Sequence, residues 1–196
     1  IVNADSYDEA GNPVPQIYHG RTRRERHEEL VDYAIRGGIA QARIAHELAG
    51  GKGRIHANIL WEMGGAERVI HGVLEGAPGL IQGLTCGAGM PYRLADIAAQ
   101  YGIYYYPIVS SARAFNALWK RSFHKSADLL GGVVYEDPWR AGGHNGLSNT
   151  EDPLKPEDPY PRVVALRKTF RGLGLDETPI IMAGGVGSAP YTYYTL

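Results

Sequence analysis

The chain has a single cysteine, Cys86, among 196 residues. One thiol excludes an internal disulfide framework and fits a reducing, cytoplasmic compartment. No charge of one sign prevails. Lys and Arg number 20 against 21 Asp and Glu, a net charge of −1. No general field therefore draws the chain to nucleic acid or an anionic membrane. No apolar run approaches the roughly 20 residues that cross a bilayer. The opening residues Ile1-Val2-Asn3-Ala4-Asp5 turn polar at once, unlike a secretory leader. His19, His27, His46, His56, His71 and His124 show no metal-ligand spacing, so no metal is expected. The dinucleotide fingerprint Gly-x-Gly-x-x-Gly is also missing: the nearest stretch, Gly87-Ala88-Gly89, continues as Met90-Pro91-Tyr92.

What remains is an ordinary globular composition, 44% hydrophobic and 21% charged, with glycine high at 26 residues. The length suffices for one domain with a real core. Residues 3–20 are polar and read as a loop. Thr22-Arg23-Arg24-Glu25 has the form of a capping box. It opens a helix with Leu30, Val31, Ala34 and Ile35 on one face, interrupted by Gly37-Gly38 and followed by a second helical piece over 39–49.

From there the chain alternates. Strands are expected at 54–60, 79–85, 103–109, 129–135 and 179–183. Helices are expected at 66–75, from Pro91 to Tyr101, from the Ser110-Ser111 cap to about Lys125, and at 160–171. Strand then helix, about every 25 residues, is the mark of a parallel α/β architecture. A doubly wound sheet and an eight-fold barrel both produce it. The failed dinucleotide fingerprint favours the barrel. The unusual residues fall just after strands, where barrels build their sites and doubly wound sheets do too: Asn58, Cys86–Gly89, Ser110, Gly142–His144 and Gly184-Gly185. A complete barrel has eight strands in about 250 residues. Five strands are visible, so the expectation is an internal piece of a longer protein. Residues 1–50 form an N-terminal loop and helices, and 51–196 an incomplete barrel domain.

At Ala141-Gly142-Gly143-His144-Asn145-Gly146 the chain resembles the nitronate monooxygenase family, formerly called 2-nitropropane dioxygenases. These are FMN-dependent TIM barrels related to FMN-dependent enoyl-acyl-carrier-protein reductases. Three further matches fall in order: Asn58 in His56-Ala57-Asn58-Ile59-Leu60, the loop Gly87-Ala88-Gly89-Met90-Pro91, and Ile180-Ile181-Met182-Ala183-Gly184-Gly185-Val186. The resemblance covers roughly 54–187 and implies that strands three to seven of a partial (β/α)8 barrel are present. Where many members carry a flavin-binding glutamine, about seven residues before the histidine, this chain has Asp137. Residues 1–50 and the loop 145–159 also depart from the family pattern.

The resemblance implies FMN as cofactor and oxidation of nitronates or nitroalkanes by O2 to a carbonyl compound and nitrite. His144 would abstract a proton beside the nitro group or hold the nitronate anion. Gly142 and Gly143 would let backbone approach the flavin, Gly184 and Gly185 would face its phosphate, and Asn58 and the Asp137 position would meet its polar edges. The partners implied are a small-molecule substrate and O2, with room for a homo-oligomer. Two alternatives stay open: an NAD(P)H-dependent enoyl reductase, and a barrel fragment that binds no flavin. Cys86 has no visible partner to activate it and reads as a small buried residue. Asp152, Glu157 and Asp158 read as solvating a Pro-rich loop, 136–159, long enough to act as a lid.

Overall fold

The computed structural model describes residues 6–7, 12–142 and 146–185. The chain divides into two compact units, Ile1–Thr85 and Cys86–Leu196. Five strands form a parallel sheet in chain order: β3 (His56–Leu60), β4 (Gly83–Gly87), β5 (Tyr104–Val109), β6 (Val133–Glu136) and β7 (Ile180–Ala183). Sequential parallel order with a helical connection after each strand is what a (β/α)8 barrel requires, and five strands make part of one. The expected fold class holds.

In the first unit, a two-residue ladder interrupts what the sequence suggests is loop. Here β1 (Ser6–Tyr7) pairs antiparallel with β2 (Pro13–Val14). The capping box is present as expected: the Thr22 hydroxyl accepts from the Glu25 amide at 3.1 Å, and the Glu25 carboxylate accepts from the Thr22 amide at 2.9 Å. It opens α1, Arg23–Leu48, a single helix of 26 residues. The expected break at Gly37-Gly38 does not occur. Two glycines cost a helix about 1 kcal/mol each, but both are buried in this packed helix, and tertiary packing overrides that cost.

The partner of α1 is α2, Ala66–Gly76, whose apolar face buries Val69, Ile70, Val73 and Leu74. Glycines on α2 receive isoleucines from α1. A Cβ added at Gly72 would lie 2.7 Å from Ile35 Cδ1 and 2.9 Å from both of that residue's γ-carbons, and Gly76 meets Ile39 the same way. After α2 the chain turns through Gly79, at φ +74°. This turn consumes the start of the expected 79–85 strand, and β4 begins at Gly83 instead.

In the second unit, α3 (Leu94–Tyr101), α4 (Ala112–Arg121), a 3-10 helix over Phe123–Leu129, and α5 (Tyr160–Gly172) pack together and on β5. Tyr105, Phe115, Leu118, Phe123, Leu166 and Phe170 are each at most 1% exposed. Burying such a side chain stabilises by about 1.5–3 kcal/mol. Phe115 and Phe170 join α4 to α5 at 4.8 Å between ring centroids. Tyr105 Oη donates to the carbonyls of Phe123 and Ser126 at 3.3 and 3.2 Å. That satisfies its buried hydroxyl, while burial, then Asp128, pushes its pKa up. The 3-10 helix takes Leu129 out of the expected 129–135 strand, so β6 starts at Val133. Pro91 lies in a turn rather than at a helix start: Leu94 N donates to Pro91 O at 3.0 Å, and α3 begins there.

Register fixes which side chains share a face. Ile108 pairs with Val134 and Val134 with Ile181, while Glu136 pairs with Ala183. Tyr105 lies on the helix-covered face, so by alternation Ile108, Val134, Glu136, Ile181 and Ala183 lie on the other. In a barrel that other face is the interior.

The glycine–isoleucine contacts give a direct test. Gly72→Ala gains about 1 kcal/mol of helix propensity but overpacks Ile35 at a cost of about 1–3 kcal/mol. It should lower Tm by about 2–4 °C. Gly172→Ala, at the end of α5 with nothing within 4 Å of the added carbon, should leave Tm unchanged or raise it. Thermal denaturation of the two variants checks the contrast.

Candidate functional site

In the second unit, the carboxyl ends of β4, β5 and β6 converge on one cleft of about 530 Å³. Its lining includes Ala88, Gly89 and Met90 after β4, Ser110 and Arg113 after β5, Glu136 at the last position of β6, and 146–148. Parallel strands deliver these loops to one end of the sheet, which is why barrel sites sit there. The loop after β4 is conformationally special. Ala88 takes φ +54°, followed by Gly89 at +111°. A non-glycine residue there costs on the order of 1–2 kcal/mol, and such strain gathers at ligand sites. Ser110 Oγ donates to the Gly146 carbonyl at 3.0 Å and closes one side of the cleft. A side chain at Gly146 would run into Ser110, so the approach needs glycine.

Asp137 follows Glu136 and is 1% exposed. Its Oδ1 accepts from Trp139 N at 2.9 Å and its Oδ2 from Arg140 Nη1 at 2.6 Å. Its own amide donates to Ala183 O at 2.9 Å, and its carbonyl accepts from Arg140 N and Ala141 N. The carboxylate thus holds the turn that follows β6. Gly184 and Gly185 stand opposite, with φ of +87° and +73°. A Cβ on Gly184 would lie 2.8 Å from Asp137 N, and one on Gly185 2.9 Å from Arg140 Cβ. The glycine pair is required here by backbone conformation and close approach together. Arg140 lies beside this turn with its side chain 35% exposed.

Gly142 is exposed with open space around it. Gly143 and His144 lie outside the described residues. Asn58 belongs to the first unit, half-buried on β3, where it lines a smaller cavity of about 190 Å³ with Gln41, His56 and Val73. Cys86 is the penultimate residue of β4 rather than a loop residue, fully buried, and burial pushes its thiol up to about 12. Such a thiol stays protonated at neutral pH and is no nucleophile.

The acidic loop is bonded rather than merely solvated. Arg162 on α5 pairs with Glu151 and, at 3.1 Å, with Glu157. Its guanidinium also lies 4.7 Å from the Trp139 ring centroid, and Trp139 Nε1 donates to the Asp152 carbonyl at 2.9 Å. Asp152 and Asp158 accept from the amides two residues on, Leu154 and Tyr160. Residues 148–160 are thereby tied down over α5 instead of hanging as a free lid. The sequence offered little local signal for this clamp, since Glu151 and Trp139 lie 11 and 23 residues from Arg162 and only Glu157, five residues away, is near. Glu136 was equally hidden: it precedes Asp-Pro and looks like the start of a loop, and only the register with Ala183 turns it to the cleft face.

The fold and cleft define an α/β protein built on a parallel sheet with its candidate site at the carboxyl ends of the strands, consistent with a partial TIM barrel. No protein-family profile matches the sequence, and no curated protein does. Solved structures do match. FabK from Thermotoga maritima, in a mutant form, aligns at TM-score 0.56 and 15% identity over 81% of this chain and 45% of its own. A second FabK structure from that organism gives the same TM-score and identity over 81% of this chain and 43% of its own. The chain spans less than half the length of the FabK chains it matches, and at this identity the likeness is one of fold. Among the described residues no helix is long and apolar enough to cross a membrane, and no group of three or more metal-ligating side chains gathers.

The Arg162 clamp makes a pH prediction. The Ser148 backbone amide, then Arg162, holds the Glu151 carboxyl at about 2, below its ordinary value. A depressed carboxylate contributes stability that is full above its unfolded pKa and lost as pH falls through the folded one. Glu151→Gln should therefore lower Tm by a few degrees at pH 7. The gap to the unaltered protein should close between about pH 5 and pH 2. Melting curves across that range read it out.

Proposed function

We propose that the chain carries the core of an FMN-dependent oxidoreductase that oxidises nitronates or nitroalkanes with O2 to a carbonyl compound and nitrite. The observation that carries this reading is positional. The motifs resembling the nitronate monooxygenases occur in order along strands β3, β4, β6 and β7 of one parallel sheet, and the loops after β4 and β5 line one cleft with the end of β6. The donor set fits a flavin phosphate. Gly184 and Gly185 present side-chain-free backbone in left-handed conformation beside the partly exposed guanidinium of Arg140. FMN, when bound, supplies the redox chemistry. The chain's own part is to bind and orient: Gly142 is exposed with open space around it, and His144 takes the substrate proton.

A second reading keeps the flavin and changes the reductant: an NAD(P)H-dependent enoyl-acyl-carrier-protein reductase. The fold shared with the FabK structures favours it. Anaerobic titration of the FMN-loaded protein separates the two. Bleaching by a nitronate alone supports the monooxygenase, and bleaching by NAD(P)H supports the reductase. A protein that takes up no FMN loses both. Under the first reading, His144→Asn should cut kcat/KM for nitroalkanes by about 10²–10⁴-fold. Steady-state O2 consumption measures it, and unchanged turnover would remove the role of His144.

A further inference from the structure

We propose that the cleft at the carboxyl ends of β4, β5 and β6 binds an amphipathic monoanion, an apolar body carrying one carboxylate, with the carboxylate on Arg113. The site stands apart from the flavin reading: neither Gly184, Gly185 nor Arg140 is among the described residues that line the cleft. Its volume of about 530 Å³ lies within the range of small-molecule sites. Met90, Ile108, Ala114, Ala117, Leu118 and Leu147 give it largely apolar walls. An apolar body gains by leaving water for such walls. The wall formed by 146–148 is set before any ligand arrives. Ser110 Oγ holds the Gly146 carbonyl, and the Glu151 carboxylate, itself paired with Arg162, accepts from the Ser148 amide.

Among the described residues two charges reach this cleft, Arg113 and Glu136. Arg113 is exposed in the first turn of α4. A cation there opposes the helix dipole, and among the described residues no carboxylate pairs with it. Helix stability gives no reason for an arginine at this position. Its guanidinium is open to a carboxylate from solution, which it can hold with two parallel N–H donors. Glu136 sets the charge limit. One cation and one anion in the lining suit a ligand with a single negative charge, since Glu136 repels a second.

Isothermal titration of the whole chain, without flavin, with octanoate, hexanoate, 1-octanol and octyl phosphate tests the site. Octanoate should bind more tightly than hexanoate, by up to about fourfold for each added methylene. Octyl phosphate should bind no more tightly than octanoate. Arg113→Gln should weaken octanoate about five- to tenfold and leave 1-octanol unchanged. Ala117→Phe fills the cleft and should weaken both. Leu147→Ala lies in a loop, leaves the helices intact if Ala117→Phe lowers Tm, and should also weaken both. The proposal is overturned if octanoate does not bind, if Arg113→Gln weakens octanoate and 1-octanol alike, or if Leu147→Ala and a folded Ala117→Phe bind both as the unaltered protein does. FMN uptake by the same chain decides the flavin reading separately.

Discussion

The turn that Asp137 holds together is the constraint on which the candidate site depends. One residue joins β6 to β7 through its amide, receives the next turn on its carbonyl, and neutralises its buried carboxylate with Trp139 N and the Arg140 guanidinium. A buried charge left without such partners is costly, and losing one partner of a buried pair costs about 3–5 kcal/mol. The same turn demands Gly184, whose backbone lies too close to Asp137 for a side chain. The Asp-Pro, the arginine and the glycine pair are thus parts of one device. It places the end of β6 and the end of β7 side by side.

Around that device, polar interactions work at a distance in sequence and at contact in space. Arg162 gathers Glu151, Glu157 and the Trp139 ring. Trp139 in turn is positioned by the Asp137 carboxylate. The long connection between β6 and α5 is therefore organised from both ends, by the Asp137 turn and by the Arg162 clamp. Charge-assisted bonds of this kind are worth roughly twice neutral ones. Ser110 also fastens the same connection, at Gly146, to the end of β5.

Much of this was legible along the chain. The Thr22–Glu25 capping box, the Ser111 cap of α4, the five strands and the Gly184-Gly185 turn are local signals, and each is present, with β4 and β6 starting later than expected. What could not be read is what a second segment decides. Gly37-Gly38 looked like a break because glycine disfavours helices in isolation, yet both are buried in the packed helix α1. Asp137 and Glu136 are neighbours with similar chemistry. Which one reaches the cleft depends on the strand's face, and that is set by pairing with β7.

The sequence by itself determined the alternation of strand and helix, the capped starts of α1 and α4, the order of the glycine-rich loops and the absence of an internal disulfide or strong net charge. Those follow from short-range sterics, local hydrogen bonding and composition. Tertiary structure alone decided the continuity of α1, the burial of Asp137, the clamp on Arg162 and the exposure of Glu136 to the cleft. Each of these depends on at least one contact between segments far apart in sequence or on strand register. Neither can be fixed until the chain has closed on itself.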